Sequence, residues 1–184
     1  ETRDRWLGLV HGHHYSDTTH GMTTDEWLAK LLRTDYLGTC AYVVLDFVSD
    51  DDSKRHGQVV LWVHHGRGNG KAAAPITKLE NLSTYWEADV FIIGHMSKLA
   101  AAPINRVYVK SRDGVLSLEH KKVLLVGAGA WSRAYQQGHK VDGRVGGCYV
   151  EEALLNPAAL GGCFISIKPI WEARCWRPEI TVEV

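Results

Sequence analysis

The sequence predicts an α/β fold: a sandwich of two β-sheets with helices on the outside. Two patterns carry this prediction. Up to Lys98, short apolar runs alternate with segments of helical periodicity, and beyond it the runs follow one another as antiparallel strands. With 184 residues, 45% of them hydrophobic, the chain is sized for a single domain over 1–184 with a substantial core.

Trp6-Leu7-Gly8-Leu9-Val10 has the continuous apolar character of a buried strand, and residues 11–22 form a polar loop after it. Thr23 to Glu26 offers a capping residue followed by acids, and Trp27, Leu28, Leu31 and Leu32 recur at helical spacing, so a helix runs to just before Tyr36-Leu37-Gly38. Residues 40–48 and 58–63 are strands joined by the charged segment Asp50 to Gly57, a predicted hairpin. Residues 66–74 are a glycine-rich loop, and residues 75–87 a helix with Ile76, Leu79, Leu82 and Trp86 on one face. Residues 89–93 are another buried strand. Strands over 104–109, 115–119 and 121–126 follow, with Arg112-Asp113-Gly114 a hairpin signal, and the last strands are 162–168 and 179–184. The chain begins at Glu1 and enters its first strand almost at once, so the expectation is of a fragment with further sequence upstream.

Lys plus Arg and Asp plus Glu balance at 21 each, so no global field draws in nucleic acid or anionic membrane. Basic and aromatic residues do not interleave in a stripe, which argues against a dedicated nucleic-acid platform. No apolar stretch approaches the roughly 20 residues that span a bilayer. Cys40, Cys148, Cys163 and Cys175 form no Cys-x-x-Cys pair, so reduced thiols in a cytoplasmic protein are the expectation.

The chemistry lies in the histidines, ten in all. Three apolar runs each stop on imidazole: Val10 leads into His11-Gly12-His13-His14, Val63 into His64-His65-Gly66, and Ile93 into Gly94-His95-Met96-Ser97. Ligands of open α/β sheets sit beyond the carboxyl ends of the strands, and neutral imidazole is a common ligand of zinc, iron and manganese. Adjacent residues on a strand point to opposite faces, so one of His64 and His65 aims at such a site, and the alternation does not say which. Arg67 and Lys71, in the glycine-rich loop, are candidates for meeting a phosphate, although the loop lacks the P-loop spacing. Gly127-Ala128-Gly129 fails the dinucleotide fingerprint because position 132 is serine.

In this order the three sites resemble motifs of the calcineurin-like metallophosphoesterase family. Gly12-His13-His14 is similar to its Gly-Asn-His motif with His13 in the asparagine place, His64 or His65 to its strand-end histidine, and Gly94-His95-Met96-Ser97 to its Gly-His-x-His motif with Ser97 in place of the last histidine. Gly127 to Trp131 and Gly146 to Glu151 resemble phage and bacterial members. The resemblance implies a two-sheet αββα sandwich whose amino-terminal strands are missing here. It also implies phosphate mono- or diester hydrolysis at a pair of divalent ions of the Mn, Zn, Fe or Mg class, on a small phosphate ester or a nucleic-acid end. Carried over by position, His13, His64 or His65, and His95 hold one metal, His14 is the acid facing the leaving oxygen, and Ser97 stands at an altered, weak ligand position. The family's Asp-x-His and Gly-Asp-x-x-Asp motifs do not occur in these 184 residues, and Asp4 lies too close to the first run to replace them. This residue set therefore predicts at most one transition metal per chain and little hydrolysis by these residues alone. A second reading is a catalytically weak member acting as a binding module. A third is a histidine-rich zinc protein of another fold, with the three strand ends far apart.

Overall fold

The computed structural model describes residues 5–19, 21–50, 56–67, 74–96, 98–131, 135–138, 140–141, 144–145, 149–152, 154, 157, 160–172 and 175–184. Asp4, Asp51, Asp52, Lys71, Ser97 and Gly146-Gly147-Cys148, singled out by the sequence, lie outside the described residues.

The elements, in chain order, are α1 (Thr24–Leu32), β1 (Cys40–Val48), β2 (His56–His64), α2 (Ala74–Leu82), β3 (Val90–Ile93), β4 (Leu99–Arg112), β5 (Val115–Ala128), β6 (Lys140–Val141), β7 (Arg144–Val145), α3 (Tyr149–Glu152), β8 (Phe164–Glu172) and β9 (Cys175–Glu183). Five strands form one mixed sheet in the order β1-β2-β3-β5-β4. Its centre, β2-β3-β5, is parallel, and the edges β1 and β4 run antiparallel to their neighbours. β8 and β9 pair as a separate two-stranded sheet, and β6 and β7 as another.

The layering follows from burial. On one face of the five-stranded sheet, Trp62, Phe91, Ile93, Val123 and Leu125 pack against Ile76, Leu79 and Leu82 of α2. On the other, Val59, Leu61, Val90, Leu124 and Val126 meet Ile165, Ile167, Trp176, Ile180 and Val182 of the β8–β9 hairpin. The central strands are covered on both faces, which is why they read as unbroken apolar runs. The approach of the hairpin is close at Gly57, where an added Cβ would lie 2.0 Å from the Trp176 ring. At the amino-terminal edge the buried Asp89 accepts from Val60 N and from Lys121 Nζ, both at 2.8 Å, and ties β2, β3 and β5 together.

Several elements differ from the sequence reading. Residues 6–10 are not a strand: Leu9 makes one parallel bridge to Tyr36, and Trp6 and Leu7 are exposed. An apolar run becomes a strand only where a neighbour runs alongside it. α1 has its expected capping box, with Glu26 N donating to Thr23 Oγ1 at 3.2 Å and Thr23 N to Glu26 Oε2 at 2.8 Å. Its expected apolar face stays largely in solvent, however, with Trp27, Leu28 and Leu31 exposed and Ala29 buried. α2 ends at Leu82, because the Ser83 and Thr84 hydroxyls donate to Glu80 O and Asn81 O, carbonyls of its last turn.

The strands expected at 104–109, 115–119 and 121–126 merge into one hairpin of two 14-residue strands, turning at Asp113-Gly114, both at positive φ. The distal half of this hairpin reaches past the sheet and exposes Val107, Val109, Leu116 and Leu118. Among the described residues no helix is long and apolar enough to cross a membrane.

Candidate metal centre

The site forms at the carboxyl edge of the parallel strands, where β2 ends in His64 and β3 in Ile93. His65 N donates to Thr39 O at 2.9 Å and Gly94 N to His64 O at 3.0 Å, so the ladder runs one step beyond each strand before the chain turns. The two turns touch backbone to backbone. A Cβ on Gly66, which sits at φ +91, would lie 2.4 Å from Gly94 O, and one on Gly94 would lie 3.0 Å from His65 O. Glycine at both positions is what lets the two strand ends close on each other. His95 itself adopts φ +60, a conformation histidine visits more readily than most residues but that still stores about 1 kcal/mol.

His13 arrives from the least regular part of the chain. His11 N donates to Gly38 O at 2.7 Å, and Gly12 N to Asp25 Oδ2 at 2.7 Å. The first turn of α1 therefore holds the peptide just before His13. The other Asp25 neighbour is His11, whose Nδ1 is 3.9 Å from the same carboxylate oxygen and 2.5 Å from the Tyr36 hydroxyl. Burial, with the charge of Glu26, pushes the Tyr36 phenol above its ordinary range, which keeps it protonated beside the imidazole.

The three segments converge. One ring nitrogen from each of His13, His65 and His95 lies within 4.8 Å of the other two. Ring centroids are 4.2 Å apart for His13 and His95, 5.1 Å for His13 and His65, and 5.0 Å for His65 and His95. His13 Nδ1 and His65 Nε2 share a 2.8 Å hydrogen bond, one imidazole donating and the other accepting. A tetrahedral ion with ligand bonds of about 2.0–2.1 Å separates its nitrogens by about 3.3 Å. That value lies between the 2.8 Å His13–His65 separation and the 4.8 Å within which all three nitrogens fall.

Electrostatics point the same way. Burial first, then the charges of His95 and His13, lower the His65 pKa below the ordinary histidine value. Burial, then the charges of His13, His14 and Lys78, lower that of His95. Burial and crowding thus favour the neutral form of His65 and His95, and neutral imidazole is the ligating form. The donor set of three imidazole nitrogens fits one zinc-class ion with a coordination position left open.

The other residues named from the sequence divide around this centre. His65 belongs to the group and His64 does not: its Nδ1 accepts from Gly66 N at 2.7 Å, and its ring stacks on Trp62 with centroids 5.5 Å apart. His14 is exposed beside the group, its ring 3.8 Å from that of His13. Arg67 is exposed, and its carbonyl accepts from Lys78 Nζ. Asp25, Tyr36 and Lys78 took no part in the sequence reading of the site, and His11 entered it only as the first histidine after the run at 6–10. Asp25 reads there only as a helix-start acid, and Lys78 lies unremarked within the helix expected over 75–87.

The chain matches no family model, no curated protein and no solved structure.

Proposed function

We propose that this chain is a metal-dependent phosphoesterase domain holding a divalent transition-metal ion through His13, His65 and His95. The observation that carries the reading is the meeting of three ring nitrogens within 4.8 Å, from segments 52 and 30 residues apart along the chain. Their order is that of the motifs that resemble the metallophosphoesterase family, and His65 and His95 follow the ends of β2 and β3. The finer fold implied there, an αββα sandwich with further amino-terminal strands, belongs to the same proposal, as does a second ion held by residues outside this sequence. Phosphate mono- or diesters are the substrates, nucleic-acid ends included.

The bound ion supplies Lewis-acid stabilisation of phosphoryl charge and acidifies a water. His13, His65 and His95 would hold it. His14, exposed beside His13, would give a proton to the leaving oxygen, a role supported by its ring lying 3.8 Å from that of His13. A second reading, a binding module without turnover, is favoured by the donor set, which suits one ion rather than two.

Cobalt(II) titration of the chain followed by visible absorption tests the site. One ion per chain is expected, with His65→Ala weakening binding at least a hundredfold and His64→Ala changing it little. Equal losses in the two variants refute the ligand assignment. Manganese- or zinc-dependent hydrolysis of an aryl phosphate that His14→Ala slows supports the enzyme, and metal binding with no turnover supports the binding module.

A further inference from the structure

The charge arrangement around the three histidines narrows what the open metal position takes. Among the described residues, the neighbours whose charges act on His95 are His13, His14 and Lys78, and no carboxylate is among them. No acidic side chain joins the three-histidine group among the described residues. Asp25, the acid tied to the loop before His13, already accepts Gly12 N and faces His11. A divalent ion held here keeps both its charges, and nothing in its ligand set offsets them.

Lys78 adds a third positive charge, and its position is built. Its Nζ donates to Arg67 O, the carbonyl just after Gly66. Gly66 is the residue in backbone contact with Gly94, next to His95. The ammonium is thus tethered beside the junction of the two strand ends, at the residue that follows Gly66. One of its protons serves Arg67, and no other acceptor among the described residues takes the remaining two.

We propose that Lys78 and the metal position beside it form a receptor for a doubly charged oxyanion, the dianionic phosphoryl group of a phosphate monoester. This rests on the metal-site reading above and deepens it: between the mono- and diesters that the reading allows, it selects the monoester. One oxyanion oxygen takes the open metal position and another accepts from the Lys78 ammonium. A diester, with a single negative charge and two esterified oxygens, matches that pair of cations less well.

The test uses the full chain loaded with cobalt(II) at pH 8, with methyl phosphate as the dianion and dimethyl phosphate as the monoanion. The cobalt spectrum and calorimetry are the readouts. Methyl phosphate is expected to bind at least tenfold more tightly than dimethyl phosphate. Lys78→Gln, which retains an N–H donor for Arg67 O but loses the charge, is expected to weaken methyl phosphate about tenfold. It should leave dimethyl phosphate and cobalt(II) affinity within about twofold of the parent. Lys78→Arg is expected to recover most of the loss. Equal binding of the two phosphates by the parent chain, or unchanged methyl phosphate affinity in Lys78→Gln, overturns the proposal. Failure of the parent chain to bind cobalt(II) is a separate result, seen before any phosphate is added, and it overturns the metal reading itself.

Discussion

Gly66→Ala is the sharpest probe of how the backbone builds the site. The added Cβ would start 2.4 Å from Gly94 O, whereas real Cβ contacts essentially never fall below 3.0 Å, so the two turns must separate by at least 0.6 Å (3.0 minus 2.4). His65 and His95 lie on opposite sides of that contact. Metal–ligand bonds tolerate about 0.2 Å, so a shift three times larger takes one imidazole out of reach unless the rings rotate to follow. Cobalt(II) affinity is expected to fall ten- to a hundredfold.

The substitution also places alanine at φ +91, which costs about 1–2 kcal/mol of stability whatever the contact. Gly114→Ala isolates that cost, because Gly114 has φ +79 and a methyl group added there would meet nothing within 4 Å, at the far end of the β4–β5 hairpin. Both variants are expected to lose stability in thermal unfolding, and only Gly66→Ala to lose metal. Full cobalt(II) affinity in a folded Gly66→Ala chain would refute the argument that glycine-to-glycine contact sets the ligand spacing.

Two further outcomes follow from the same geometry. Asp25→Asn removes the charge that holds Gly12 N and faces His11 while retaining an acceptor oxygen, so metal affinity should drop about tenfold, and Asp25→Ala more, in the range seen when groups supporting metal ligands are lost; calorimetric titration of both variants reads this, and unchanged affinity in Asp25→Ala removes Asp25 from the site. The folded pKa values of His65 and His95 lie below the unfolded value of about 6.5, so their contribution to stability is whole above that pH and is lost as pH falls through it toward the folded values. Metal affinity should accordingly stay level from pH 8 to 7 and fall below about 6.5, as protons compete for the same nitrogens; a steep loss between pH 8 and 7 contradicts neutral, depressed imidazoles.

Much of the scaffold is short-range and is legible in the chain. The Thr23–Glu26 capping box needs residues three apart, and the Asp113-Gly114 turn needs two residues that tolerate positive φ. The unbroken apolar runs of β2 and β3 announce strands covered on both faces. The run at 6–10 misleads for the same reason that the others inform: it shows a preference for burial but not whether a partner strand exists. α1 misleads likewise, since helical spacing of Trp27, Leu28 and Leu31 does not say what the face packs against.

The sequence by itself determined that three imidazole-bearing segments follow apolar runs, with glycine beside each, and that a metal is the natural object of such a pattern. Tertiary structure alone decided that His65 rather than His64 joins His13 and His95, that Asp25 anchors the loop before His13, and that Lys78 bonds to the Arg67 carbonyl beside the junction. Period-two alternation separates two neighbouring side chains without naming the face that matters. That choice depends on the Gly66–Gly94 contact and on hydrogen bonds between residues 13 to 52 positions apart, and chain neighbourhood carries no information over such distances.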